Sequence, residues 1–262
     1  MPISSISQGL GFGGGATATS SGAPGGTPFT NLLSASFDGG GDHITVPEDA
    51  SINISGDISF SAWVKQSAQS AYGTIFAKRI VGVRINYQFV MKNSTGAIGL
   101  GHSGGWVYDG MSLPSGSWYH VAATLDSGTV QFYVNGVAKD QGTGVTITGT
   151  TDDLIIGAVP GSNAFNGLID EAAIFDSALS SSDITAIYNS GTPNDISGLN
   201  PVGWWRMGDG GGDVDGAGGA PANDGAIGTI VNAATGTNSG GSAINGSQTS
   251  TASQPKFSTV VP

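Results

Sequence analysis

Between Leu32 and Tyr188 no apolar run continues far before a cluster of Gly, Asn, Asp or Ser breaks it. That rhythm suits short strands joined by turns and is incompatible with a bundle of long helices. ISFSAWVK (58–65) alternates, placing Phe60, Ala62 and Val64 on one face of a strand. INYQFVMK (85–92), WYHVAATLD (118–126), TVQFYVNG (129–136), DLIIG (153–157) and FNGLIDEAAIF (165–175) follow. Ser127 and Gly128 stand between two of these runs, where a tight hairpin turn is expected. Glycine supplies 45 of 262 residues, enough for a turn at every junction. Strands at this spacing with no helices between them predict an all-β, antiparallel two-sheet sandwich.

One helix is predicted near 180–189. Ser180 and Asp183 have the spacing of a capping box, Ile184, Ile187 and Tyr188 share a face, and Gly191 and Pro193 stop it. Three zones result: an N-terminal Gly/Ser/Thr-rich arm (1–30), the sandwich (31–197) and a C-terminal extension (198–262). The arm is too poor in apolar residues to fold alone. In the extension, Trp204 and Trp205 are too apolar for a solvated tail and are expected to dock on the sandwich; a polar low-complexity tail follows. Core positions are assigned to Trp63, Trp118 and Phe132.

A net charge of −11 argues against a nucleic-acid partner. Without cysteine there is no disulfide framework and no thiolate chemistry. MPISSISQGLGFGGG has neither the basic start nor the apolar block of an export signal, and no stretch reaches the ~18 apolar residues of a membrane helix.

LSASFDGGGDHITVP (33–47), ISFSAWVK, SWYHVAATLDSGTVQFYVNG and FNGLIDEAAIFDSALSSSDITAIYNSG resemble, in order and spacing, the signatures of the laminin-G-like jelly roll. This group lies within the concanavalin A-like lectin/glucanase superfamily, and the resemblance spans about residues 32–191. It implies a jelly-roll sandwich with flexible arms and leaves function open among lectins, glycosidases, carbohydrate-binding modules and structural domains. NPVGWWRMGDG, with the later GAIGTIVNAATG, is similar to the element that usually opens such a domain; here it comes last.

Catalysis fails on spacing. A retaining glycosidase needs two carboxylates ~5 Å apart in a cleft, whereas Asp170 and Glu171 are consecutive and would point to opposite faces of a regular strand. Glu171 is therefore expected to face solvent. His43, His102 and His120 fall on separate strands with no nucleophile elbow nearby. The resemblance implies a structural Ca²⁺ near Asp38 and Asp170, with Asp42 as a further ligand beside the Gly39–Gly41 turn. The alternative is that Asp38 caps a turn and Asp170 bonds backbone amides. Asn86, Tyr87, Trp106, Tyr108 and Asp109 form the candidate ligand face, because rings beside amides and acids suit sugars; ordinary packing competes with that reading.

Two functions compete. One is a non-enzymatic decoration protein of a tailed bacteriophage virion, made in the host cytoplasm. It would bind capsid or other virion proteins, or a host-surface glycan, as a homo-oligomer with a trimer preferred. YNSGTPND…NPVGWWRMGDG resembles laminin-G-like domains of phage structural proteins. The other is an extracellular carbohydrate-binding or adhesion module of a bacterial secreted or surface protein.

Overall fold

The structure, a computed structural model, describes residues 29–67, 72–80, 84–92, 95–159, 161–215, 219–221, 227–234, 245–247 and 254–262. In chain order come β1 (Ser34–Asp38), β2 (Ile44–Val46), β3 (Ile58–Gln66), β4 (Gly73–Ile80), β5 (Arg84–Met91) and β6 (Ile98–His102). β7 (Gly105–Tyr108), β8 (Tyr119–Asp126), β9 (Thr129–Val134), β10 (Val137–Thr143), β11 (Leu154–Ile156) and β12 (Asn166–Phe175) follow. After the helix α1 (Ser181–Tyr188) come β13 (Gly203–Trp205), β14 (Val214–Asp215), β15 (Ile227–Ile230), β16 (Gly246–Ser247) and β17 (Lys256–Ser258).

These strands make two antiparallel sheets. The first is ordered β10-β9-β8-β3-β12-β1-β17, with β13 also pairing β12; the second is ordered β14-β15-β16-β2-β11-β4-β5-β6-β7. Hairpin turns do what the sequence asks of them: Ser127 and Gly128 have φ of 49° and 83°, and Asn135 and Gly136 have 50° and 73°. Two successive positive φ values give the turn whose twist matches that of the strands.

Between the sheets, Phe60 anchors the core, with ring centroids 5.1 Å from Tyr87, 5.6 Å from Phe89 and 6.0 Å from Phe76. Burying each such ring contributes ~1.5–3 kcal/mol. Part of the other face of the first sheet is buried too. Trp63 on β3 is covered by α1, its ring stacked 5.8 Å from Tyr188 and lying 5.4 Å from the tilted ring of His120. Ala122, Tyr133, Ala173 and Phe175 pack there against Ile184, Ile187, Ile196 and Trp204. The domain therefore has three layers: sheet, sheet and a helical cover. Trp118 departs from its expected core position, being half-buried just before β8.

The predicted capping box is present. The Ser180 hydroxyl accepts from Asp183 N at 3.2 Å, and Asp183 Oδ2 accepts from Ser180 N at 3.0 Å. Asn189 ends the helix in the left-handed region.

The C-terminal extension does more than dock. β13 pairs β12, β16 pairs β2, and β17 pairs β1 with Phe257 opposite Ala35. Successive residues of β13 enter different cores, Trp205 the inter-sheet one and Trp204 the one under α1. Residues 198–262 thus supply strands to both sheets, and the boundary expected at 197 cuts through the sandwich. Residues 1–28 of the arm, and most of the polar tail, lie outside the described residues.

Candidate functional site

The outer face of the second sheet carries a shelf of aromatic rings. Leu100 and Val107 point inward to the core, so their neighbours Gly99, Gly101, Trp106 and Tyr108 point outward. Trp106 and Tyr108 lie 5.8 Å apart and 4° from parallel. Tyr72, just before β4, joins them 5.9 Å from Trp106 and 6.2 Å from Tyr108, within 18° and 21° of parallel. The two glycines make this arrangement possible. A Cβ on Gly101 would approach the Trp106 ring to 2.8 Å, and one on Gly99 would approach the Tyr108 ring to 2.3 Å. Burial first, and then a hydrogen bond to the Tyr72 side chain, raise the Tyr108 phenol above its ordinary value.

Polar groups border the shelf. Gln88, whose register neighbour is Gly101, donates to Thr74 Oγ1 at 2.9 Å and accepts from Arg79 Nη1 at 2.6 Å. Lys92 Nζ sits 4.9 Å over the Tyr108 ring. Asn86, two residues from Gln88 along β5, is fully buried, and among the described residues neither of its amide atoms has a hydrogen-bond partner. Rings with partly exposed cations at their margin can hold a flat, hydroxyl-rich ligand.

The structure divides the predicted ligand residues. Trp106 and Tyr108 meet on the shelf, and Asn86 shares its face. Tyr87 does not: alternation along β5 sends it into the inter-sheet core with Phe60. Asp109 is also out of reach. It is buried, and its Oδ1 accepts from Ile98 N and Met111 N, both at 3.1 Å, which holds the end of the β6–β7 hairpin. Burial raises its pKa against those two bonds. Tyr72, Gln88, Thr74 and Arg79 were missed. Glycine alternating in phase with the outward rings of 106–108 was the signal available in sequence.

The two acids behave differently from expectation. β12 carries a bulge after Asp170, where Glu171 and Ala172 together oppose Ala62 of β3. Glu171 adopts φ +47° and is buried, not solvent-facing. The bulge falls where the neighbour of β12 changes from β1 to β13. Glu171 Oε2 accepts from Trp204 Nε1 at 2.6 Å and Oε1 accepts from Arg206 Nε at 3.1 Å. Burial raises its pKa to about 7, opposed by Arg206. Asp170 accepts from Asn31 Nδ2 at 3.0 Å and from Glu171 N at 2.8 Å; burial and then the charge of Glu171 push it well above the ordinary range.

Arg206 ties this pair to the start of the described chain. It donates to Thr30 O and to Asp209 O, and lies 4.1 Å over the Phe29 ring, while Asp209 Oδ2 accepts from Leu32 N and Leu33 N. The two carboxylates therefore help tie residues 30–31 to Arg206, and the space beside Glu171, about 10 Å³ between Trp63, Ile187 and Pro193, is too small for a saccharide.

Asp38 and Asp170 do not come together as a shared calcium ion would require. Asp38 pairs in register with Asn166, four residues along β12 from Asp170, or ~13 Å of strand. Asp42 Oδ2 accepts from Asp38 N at 3.0 Å, and Asp38 Oδ1 accepts from Gly40 N at 2.6 Å, so these two close their own turn. Burial, with the nearby charge of Asp38, raises the pKa of Asp42. Among the described residues no three His, Asp or Glu side chains converge as metal ligands.

An open groove of about 650 Å³ on the outer face of the first sheet is lined by Thr124, Gln131, Tyr133, Gln141 and Ser180. Its amides bond to each other and to backbone, and Tyr133 is buried, so it offers no ring to a ligand.

Comparison with known proteins agrees with this architecture. The family model described as Concanavalin A-like lectin/glucanases superfamily, of the laminin G type, matches residues 38–185, and the chain belongs to that family. A putative carbohydrate-binding protein from Bacteroides ovatus is similar, with a TM-score of 0.63 and 17% identity over 90% of this chain and 62% of that one. Domain 4 of an extracellular arabinanase from Geobacillus stearothermophilus, solved with arabinotriose, has a TM-score of 0.50 and 27% identity over 59% of this chain and 76% of that one. A pentraxin from Limulus polyphemus has a TM-score of 0.48 and 18% identity over 60% of this chain and 82% of that one. No curated protein sequence gives a match.

Proposed function

We propose that the chain is a non-catalytic glycan-binding module whose ligand rests on Tyr72, Trp106 and Tyr108. The observation that carries this reading is the near-parallel set of rings, outward on a rigid sheet, with two glycines in place of the side chains that would displace them. Sugar rings have apolar faces that stack on such surfaces, and the half-buried Arg79 and Lys92 at its border supply donors for hydroxyls. The arabinotriose held by the Geobacillus stearothermophilus domain supports a saccharide as the ligand class. Binding without hydrolysis is supported by the burial of Asp170 and of Glu171, the latter held by Trp204 and Arg206.

The test is titration calorimetry with arabinotriose and a set of bacterial and plant oligosaccharides, on the wild type and on Trp106→Ala. Removing the indole should weaken binding by at least about tenfold, the usual scale for an aromatic anchor, with an unchanged melting temperature. A Trp106→Ala protein that binds as tightly as wild type overturns the shelf.

A second setting, display on a phage particle, draws on the clamp that gathers residues 29–33 and 204–209 at one place, from which an arm could reach a neighbour. Co-sedimentation of the full chain with purified particles separates that setting from a secreted or cell-surface module; a chain that never sediments excludes it.

A further inference from the structure

The chain is acidic, yet four of its eight Lys and Arg residues, Lys78, Arg79, Arg84 and Lys92, lie within or next to β4 and β5. Lys78 is the inward register partner of Tyr87, but Arg79 turns outward, since its Nη1 reaches Gln88 on the shelf side. Arg79 is half-buried; among the described residues it makes that one hydrogen bond and its Nε has no partner. Burial alone moves its pKa, downward, with no carboxylate opposing the shift. A guanidinium presents five donors in a fixed fork and is seldom left half-buried without an anion.

A second group on the same face is also incomplete. Asn86 occupies the position where the β4–β5 register shifts, between Lys78–Tyr87 and Arg79–Ile85. Its amide is fully buried, and neither Nδ2 nor Oδ1 has a partner among the described residues. Buried polar side chains are rarely left so, because each unpaired atom forfeits the bond that water would give. Arg79 and Asn86 are thus adjacent, unfilled and beside a hydrogen-bonded relay, Thr74–Gln88–Arg79, that fixes the guanidinium. Gln88 neighbours Gly101, and Gly101 lies under Trp106, so guanidinium and indole are separated by two strand spacings, ~10 Å. A disaccharide spans that distance.

We infer that the shelf recognises an acidic saccharide, whose sugar ring lies on Trp106 and Tyr108 while its carboxylate is received by the half-buried Arg79. This rests on the glycan reading above and specifies its ligand class. A charge-assisted pair of this kind discriminates where stacking cannot, because every pyranose offers a ring face and few offer an anion.

The test uses matched probes, oligogalacturonate against its methyl ester and sialyllactose against lactose, titrated into the full chain by calorimetry. At least one acidic member should bind about tenfold or more tightly than its neutral partner, and raised salt should erode that advantage. In Arg79→Gln the acid-to-neutral ratio should fall to about one, and Arg79→Lys, which keeps the charge without the fork, should restore part of it. Melting curves of both variants check that the sandwich is intact. Equal binding of acid and neutral forms, or an acid preference that survives Arg79→Gln, overturns the inference and leaves the shelf standing. If every probe is silent, the inference is lost, and a shelf that also fails with the neutral oligosaccharides above is lost with it.

Discussion

Titration of Glu171 should be visible as a difference in thermal stability between the wild type and Glu171→Gln. In the fold its pKa is about 7, against an ordinary glutamate value of 4.5. A raised folded value means that the native state holds the proton more tightly, so the stabilisation is complete below pH 4.5 and disappears as pH rises through 7. Integrating between pH 8 and pH 5 gives about 2 kcal/mol gained on acidification. His120 works in the opposite direction. Burial lowers its pKa from 6.5 to about 3, so stability falls as pH drops below 6.5, by about 2 kcal/mol at pH 5. The two nearly cancel, and the wild-type melting temperature alone conceals both.

The variant separates them. Its side-chain amide retains an oxygen for Trp204 Nε1 and cannot titrate, while His120 and the buried Asp213, whose pKa is raised to about 6, contribute equally to both proteins. Asp170 loses the upward push of the Glu171 charge in the variant, which adds to the difference in the same direction. The wild type should therefore gain on the variant by about 4–8 °C between pH 8 and pH 5, at about 2–4 °C per kcal/mol for a domain of this size. Differential scanning fluorimetry in buffers of constant ionic strength reads it. Parallel melting profiles across that range would refute the argument, since they would mean Glu171 titrates alike in both states.

Lys78 is fully buried with an ammonium that bonds nothing among the described residues, and burial lowers its pKa despite Glu48 and Asp152 nearby; Lys78→Met should raise stability by ~1–3 kcal/mol in urea denaturation, and a loss would show that the amine has a partner. Phe257→Ala should cost ~3–5 kcal/mol in the same assay, because the ring is fully buried between β1 and the core; a neutral result would mean that β17 is an appendage.

Local patterns specified much of this protein. Phe60, Ala62 and Val64 alternate into the core, Ser127-Gly128 turns, and Ser180 with Asp183 starts the helix, because each depends on residues within a few positions of one another. The signatures quoted for the jelly roll were sufficient for the family. Sequence also placed Trp106 and Tyr108 on one face, since i and i+2 share one side of any strand.

Tertiary structure decided what crosses between elements. Glu171 reads as outward until β13, more than thirty residues later, supplies Trp204 and Arg206 to cover it and a bulge turns it toward them. Asp38 and Asp170 belong to neighbouring strands, but antiparallel register sets them four residues apart, which no spacing in the chain encodes. The shelf was only half legible for the same reason. Tyr72 and Arg79 join Trp106 from across the sheet, and their approach depends on strand order and on Gly99 and Gly101 leaving room. Strand and helix periods are fixed by the backbone and written in the sequence; register and sheet order are set by the total packing of both faces, and become known only when the chain has folded.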